Sequence, residues 1–102
     1  MKLSLVMAAY NAENTLSATL QSILQQNMKP NELIIVNDCS NDSTYKIIEV
    51  ELNNAPFPVY IINNAVNKGV AASRNIGIQK SNCDLIAFCD ADDMLEPCCV
   101  EI

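Results

Sequence analysis

The feature that most constrains this chain is an alternation. Four short apolar runs, Leu3–Ala8, Leu33–Val36, Val59–Ile62 and Leu85–Cys89, are separated by segments with helical periodicity. Runs this short, rich in Val, Ile and Leu and without an apolar/polar alternation, read as strands buried on both faces. The first of them resembles a signal-peptide core, but it is short and passes straight into Tyr10-Asn11, so a buried strand is the better reading. After it, Leu16, Leu20, Ile23 and Leu24 share one helical face, with Asn11 the expected N-cap and Asn27 and Pro30 ending the helix. Ser40 is the expected cap of a second helix, in which Tyr45, Ile48 and Leu52 lie on one face. A third helix is expected from about Gly69 to Lys80, carrying Val70, Ser73 or Arg74, and Gly77 on successive turns. Glycine in a helix costs about 1 kcal/mol against alanine, and close approach of helix to sheet would offset that at Gly77. The order β-α-β-α-β-α-β predicts one α/β layer with a mostly parallel four-stranded sheet, order 3-2-1-4, and flanking helices.

Such sheets bind ligands beyond the carboxyl ends of their strands. The polar residues collect there: Tyr10-Asn11 after the first strand, Asp38 after the second, Asn67 after the third, and Asp90-Ala91-Asp92-Asp93 after the fourth. Several chemistries are disfavoured. Histidine is absent, which removes histidine-based general bases, Ser-His-Asp triads and most zinc sites. The first strand-to-helix turn lacks the glycine pattern of dinucleotide-binding folds, and no phosphate-binding glycine-lysine loop is present. A formal charge of −6 opposes nucleic acid or anionic membrane as a general partner. No apolar run approaches the roughly 18 residues of a membrane span. The five cysteines form no C-x-x-C pair and read as reduced thiols. The expectation is therefore a cytoplasmic chain, with a longer parent at the inner face of the membrane as the alternative.

In extended chain, residues i and i+2 point the same way, so Asp90 and Asp92 converge. Their repulsion at about 4 Å, with an effective dielectric near 20, is about 4 kcal/mol, and a divalent cation such as Mg²⁺ or Mn²⁺ would remove it. An acidic solvated turn is the simpler alternative, but the position after a buried strand favours the cation. Asp38 suits a donor on a base or ribose, or else a helix dipole; Asp42 fits the dipole better. Arg74, the only arginine, suits a phosphate, a clamp on Asp90 or Asp92, or a surface ion pair. Asn67-Lys68-Gly69 reads as a turn with a capping or ligand role.

Together these motifs resemble the N-terminal nucleotide-sugar-binding half of family 2 glycosyltransferases of the GT-A fold. The resemblance rests on Leu5-Val6-Met7-Ala8-Ala9-Tyr10-Asn11, Leu20-Gln21-Ser22-Ile23-Leu24-Gln25-Gln26, Glu32 through Thr44, Asn67-Lys68-Gly69 with Ser73-Arg74-Asn75-Ile76-Gly77, and Ile86 through Asp93. It implies that Ala8, Tyr10 and Asp38 line a nucleobase pocket, that Arg74 approaches the nucleotide or braces the acidic loop, and that Asp90 contacts ribose. Asp92, assisted by Asp93, would hold a divalent metal, Mn or Mg, with the diphosphate. The implied reaction moves a sugar from a nucleoside diphosphate sugar to an acceptor glycan or lipid-linked glycan, usually with inversion. Ala9 stands where the family often has proline, and Cys39 where it has a smaller residue. Family members carry a second half with the acceptor site and the general base. No residue here is a convincing base, although Glu96 and Glu101 lie in the right neighbourhood. The expectation is therefore a single truncated domain, 1–102, with donor binding and no catalytic residue of its own. A homo-oligomer formed through the exposed fourth strand or the 98–102 tail is also expected. The competing expectation is a noncatalytic nucleotide- or metal-binding α/β domain; a response-regulator-like domain lacks the fifth strand it would need.

Overall fold

In the computed structural model the described residues are 2–26 and 29–90. They form β1 (Leu3–Ala9), α1 (Leu16–Leu24), β2 (Glu32–Asn37), α2 (Thr44–Glu51), β3 (Val59–Asn63), α3 (Val70–Lys80) and β4 (Leu85–Asp90). The sheet has the order β3-β2-β1-β4, and every adjacent pair is parallel. Both the elements and their order are those expected from the apolar runs.

The sheet's period of two divides its side chains between two helical layers. Leu5, Met7 and Ala9 of β1 and Leu33 and Ile35 of β2 pack with Leu16, Leu20 and Ile23 of α1 and with Ile48 and Leu52 at α2. On the other face, α3 lies against β1 and β2. A Cβ at Gly77 would overlap Cγ1 of Val6, so the helix can come this close only without a side chain there. The close approach expected at Gly77 is thus present. The layering follows from connection hand. The chain steps β1 to β2 to β3 in one direction with α1 and α2 on one face, then reverses across β1 to β4. Keeping one crossover hand requires the reversed connection to use the other face.

Both expected helix starts are displaced. The α1 helix begins at Leu16 with Thr15 as its N-cap residue, and α2 begins at Thr44 after Ser43. Asn11 and Ser40 instead bind the two loops together. The Asn11 N–H donates to Ser40 Oγ at 3.0 Å, and Asn11 Oδ1 accepts from the Asn41 N–H at 2.9 Å. Asp42 adds to this seam, accepting from the N–H of Thr44 at 2.9 Å and from that of Glu13 at 3.3 Å. Of the residues expected on one face of α2, Ile48 and Leu52 are buried while Tyr45 is exposed.

Candidate functional site

A cleft of about 310 Å³ opens at the carboxyl ends of β1 and β2, beside the point where strand order reverses between β1 and β4. It is lined by Ala8, Ala9 and Tyr10 from the end of β1, by Asp38, and by Asn67, Gly69, Val70 and Ser73 around the start of α3. Register explains the convergence: Ala8 pairs with Val36 on one side and with Asp90 on the other. The backbone of Asp90 therefore lies beside the cleft.

Asp38 is the best-connected side chain at this rim. It is 3% exposed. Its Oδ1 accepts from Asn64 Nδ2 and from the Lys68 N–H, both at 2.8 Å, and its Oδ2 accepts from the Gly69 N–H at 2.9 Å. Burial alone would raise its pKa. The hydrogen bonds from Asn64, Lys68, Gly69 and the Ser73 hydroxyl outweigh burial and hold the carboxyl below its usual range. The carboxylate does face a helix dipole, but that of α3 rather than of the helix following its own strand. Gly69, the N-cap residue of α3, has φ +91°, a conformation that a side chain would strain.

Asn64 was not apparent in the sequence as a site residue. It is buried, and its amide also donates to Ser73 Oγ at 3.2 Å, tying β3, α3 and Asp38 into one network. A polar residue directly after a β-branched strand was the available signal. The expected residues Ala8, Tyr10 and Asp38 do meet in the cleft, with Tyr10 about half exposed. Arg74 lies one turn before Gly77 on α3, with its guanidinium carbon 5.7 Å from the centroid of Phe88 on β4. This cation–π contact was not expected. Asp92 and Asp93 lie outside the described residues, and within those residues no cluster of three metal-ligating side chains occurs. The donor chemistry nevertheless suits a hard divalent cation: Asp90, Asp92 and Asp93 supply three carboxylates in four residues, starting where the Asp90 backbone reaches the cleft end of the sheet.

The profile of glycosyl transferase family 2 matches residues 4–102. The chain belongs to that family. Among the relatives of this family 2 chain is an uncharacterized glycosyltransferase, YwdF, from Bacillus subtilis (strain 168), 36% identical over 95% of this chain and 35% of its own length. The Escherichia coli UDP-Glc:alpha-D-GlcNAc-diphosphoundecaprenol beta-1,3-glucosyltransferase WfgD is 35% identical, over 89% of this chain and 35% of its own. Among solved structures, S. aureus TarS 1-349 in complex with UDP superposes with a TM-score of 0.86 at 27% identity, over 96% of this chain and 29% of that one. The family 2 chain thus spans about a third of the length of these proteins. Its fold is that of the GT-A glycosyltransferases. Among the described residues, no helix is long and apolar enough to cross a membrane.

Proposed function

We propose that this chain is the donor-binding part of a glycosyltransferase that transfers a sugar from a nucleoside diphosphate sugar to an acceptor hydroxyl. The observation that carries this reading is Asp38. A buried carboxylate, held ionised by amide donors, lines a cleft at the carboxyl ends of β1 and β2, next to the strand-order switch point, and the acidic run from Asp90 begins at the same rim. In this reading Asp38 takes an N–H of the base, Ala8 and Tyr10 border the base, and Asp90 meets the ribose. Asp92 and Asp93 would hold a divalent cation, Mn²⁺ or Mg²⁺. When bound, that ion supplies Lewis-acid stabilisation for the departing diphosphate. Arg74 adds positive charge near the nucleotide, its guanidinium steadied by Phe88.

Similarity supports the same reading. TarS has been crystallised with UDP and with UDP-GlcNAc, and WfgD is named for transfer from UDP-Glc to a lipid-linked acceptor. An acceptor glycan or lipid-linked glycan is the corresponding proposal here. So is self-association through the outer edge of β4, which among the described residues pairs only with β1 and whose backbone could pair with another strand.

Calorimetric titration with UDP, GDP and dTDP, each with and without Mn²⁺, tests the reading. Binding of one nucleotide should strengthen with metal and be lost in Asp92→Asn. Failure of all three to bind, or binding indifferent to metal, would undo it.

A further inference from the structure

The packing of α3 decides where Arg74 stands. At Gly77 the helix comes down on Val6, and Val6 pairs with Phe88 on β4. Further toward the carboxyl end of β1, Val70 and Ser73 line the cleft with Ala8, and Ala8 pairs with Asp90. The helix therefore runs from the level of Ala8 toward that of Val6. Arg74 is one turn before Gly77, a rise of about 4.5 Å, and the step from Val6 to Ala8 spans about 6.6 Å. Its backbone accordingly stands between the levels of Phe88 and Asp90. The guanidinium carbon lies 5.7 Å from the centroid of Phe88, a ring that is 47% exposed on the outermost strand of the described sheet. A ring meets a guanidinium through its charge and its flat face, whereas oxygen ligands meet the N–H groups along its edge. A long side chain already held by a ring loses less freedom when that edge takes up an anion.

We propose that Phe88 is a positioning residue: its ring holds the Arg74 guanidinium where its edge meets the phosphate groups of the nucleotide, and so strengthens binding of the phosphates but not of the base or sugar. This deepens the nucleotide reading above and rests on it. Phe88 acts through Arg74 and touches no ligand itself. The same helix supplies a control. Lys80, the last residue of α3, makes a matching contact, its Nζ 5.8 Å from the centroid of Tyr60 on β3. That contact lies at the end of α3 away from the cleft, so it steadies the helix without a part in holding phosphate.

The deciding quantity is the ratio of diphosphate to nucleoside affinity. Calorimetry in Mg²⁺ supplies it for UDP, GDP and dTDP, with uridine, guanosine and thymidine measured by displacement of the bound diphosphate. Phe88→Leu should lower the ratio about threefold, the worth of an exposed cation–π contact, with folding checked by circular dichroism. Phe88→Tyr keeps the ring and should keep the ratio, and Tyr60→Leu should leave it unchanged. In Arg74→Ala, adding Phe88→Leu should lower the ratio no further. A merely structural Phe88 would weaken nucleoside and diphosphate alike. That result overturns the proposal, as does a loss of ratio that persists in Arg74→Ala or that Tyr60→Leu reproduces. Arg74 is the only arginine, so its Nε–H gives a single arginine signal in nitrogen-edited NMR. In the unmodified chain that signal should move when the diphosphate binds and stay in place when the nucleoside does. A signal indifferent to bound diphosphate overturns the proposal even if Phe88→Leu does not fold. If none of the three diphosphates binds, the nucleotide reading itself fails and takes this inference with it.

Discussion

The two ends of β2 carry buried carboxylates with opposite fates. Glu32 starts the strand and Asp38 follows its end; both are under 5% exposed. Both accept hydrogen bonds from a distant loop. Glu32 takes the Ser4 hydroxyl, the Asn82 N–H at 2.8 Å and Asn82 Nδ2 at 3.3 Å, and Ser81 closes the knot by donating to Ser4. Asp38 takes Asn64, Lys68 and Gly69. For each, burial would raise the pKa, and for each the hydrogen bonds outweigh burial and lower it. The difference lies in what surrounds them. The Glu32 knot ties β1, β2 and the turn before β4 together, whereas Asp38 lines an open cleft. Every backbone position with positive φ among the described residues also sits at the Asp38 rim: Asn11 at 46°, Cys39 at 60° and Gly69 at 91°. The rim that is open and conformationally strained is the one with the chemistry to bind a ligand. A lowered pKa alone does not distinguish a site from a rivet.

Breaking the comparison should give its largest effect on ligand affinity. Asp38→Ala removes the acceptor of the hydrogen bonds from Asn64, Lys68, Gly69 and Ser73, and nucleotide affinity should fall about a hundredfold, since hydrogen bonds to charged groups are worth about 1.5–3 kcal/mol. Denaturant unfolding should show a stability loss of about 1–3 kcal/mol as well, because Asn64 and the start of α3 lose their partner. Glu32→Gln should cost a similar amount of stability, yet leave nucleotide affinity of the folded protein unchanged in calorimetry. If Glu32→Gln weakens nucleotide binding as much as Asp38→Ala does, the two ends do not differ in kind.

Much of this arrangement was legible in the sequence, and what was not has a common cause. The β-branched runs specify strands without outside help, so element order and sheet order follow from local pattern and connection rules. Asp38 stood out because it ends such a run. Its partners did not, since Asn64 and Lys68 lie 26 and 30 residues along the chain. Asn11 and Ser40 look like helix caps locally, but each finds a better partner in the other's loop. Glu32 entered the sequence reading only as part of a family motif, because its knot depends on Asn82, 50 residues away. Arg74 suggested anionic partners, and the ring of Phe88 became its neighbour only once α3 had settled onto Val6.

Gly77 connects local pattern to the open rim. Gly77→Ala forces a methyl into Val6, and overpacking of this kind costs about 1–3 kcal/mol. Because α3 also carries Ser73 and Arg74, nucleotide affinity should drop along with stability. An affinity unchanged beside a lost kcal would separate the position of α3 from the cleft.

Acid should act on both ends alike. Glu32, Asp38 and Asp42 all have folded-state pKa values below their ordinary 4.5 and 3.8. Carboxylates depressed on folding add stability that is fully present above those ordinary values and is lost as pH falls through the lower folded ones. Unfolding midpoints measured from pH 6 down to pH 3 should therefore fall toward acid, and Glu32→Gln and Asp38→Ala should each flatten that fall. Saturating nucleotide should protect against acid only where Asp38 is intact.

The smallest expected effect tests whether strain at the open rim serves binding. Cys39 holds φ at 60°, where a side chain costs about 1–2 kcal/mol relative to right-handed backbone. Its thiol makes one long contact, 3.5 Å to the carbonyl oxygen of Ala65. Cys39→Gly removes the steric cost and this weak contact, while the added freedom of the unfolded chain works against it. The net should be a stabilisation of a few tenths to about 1 kcal/mol, read from the denaturant midpoint. Cys39 does not line the cleft, so the backbone it shapes should hold Asp38 equally well as glycine, and nucleotide affinity should not change. If Cys39→Gly stabilises the fold but weakens binding, the strained residue itself holds Asp38 in place, and strain at this rim is part of how the site is built.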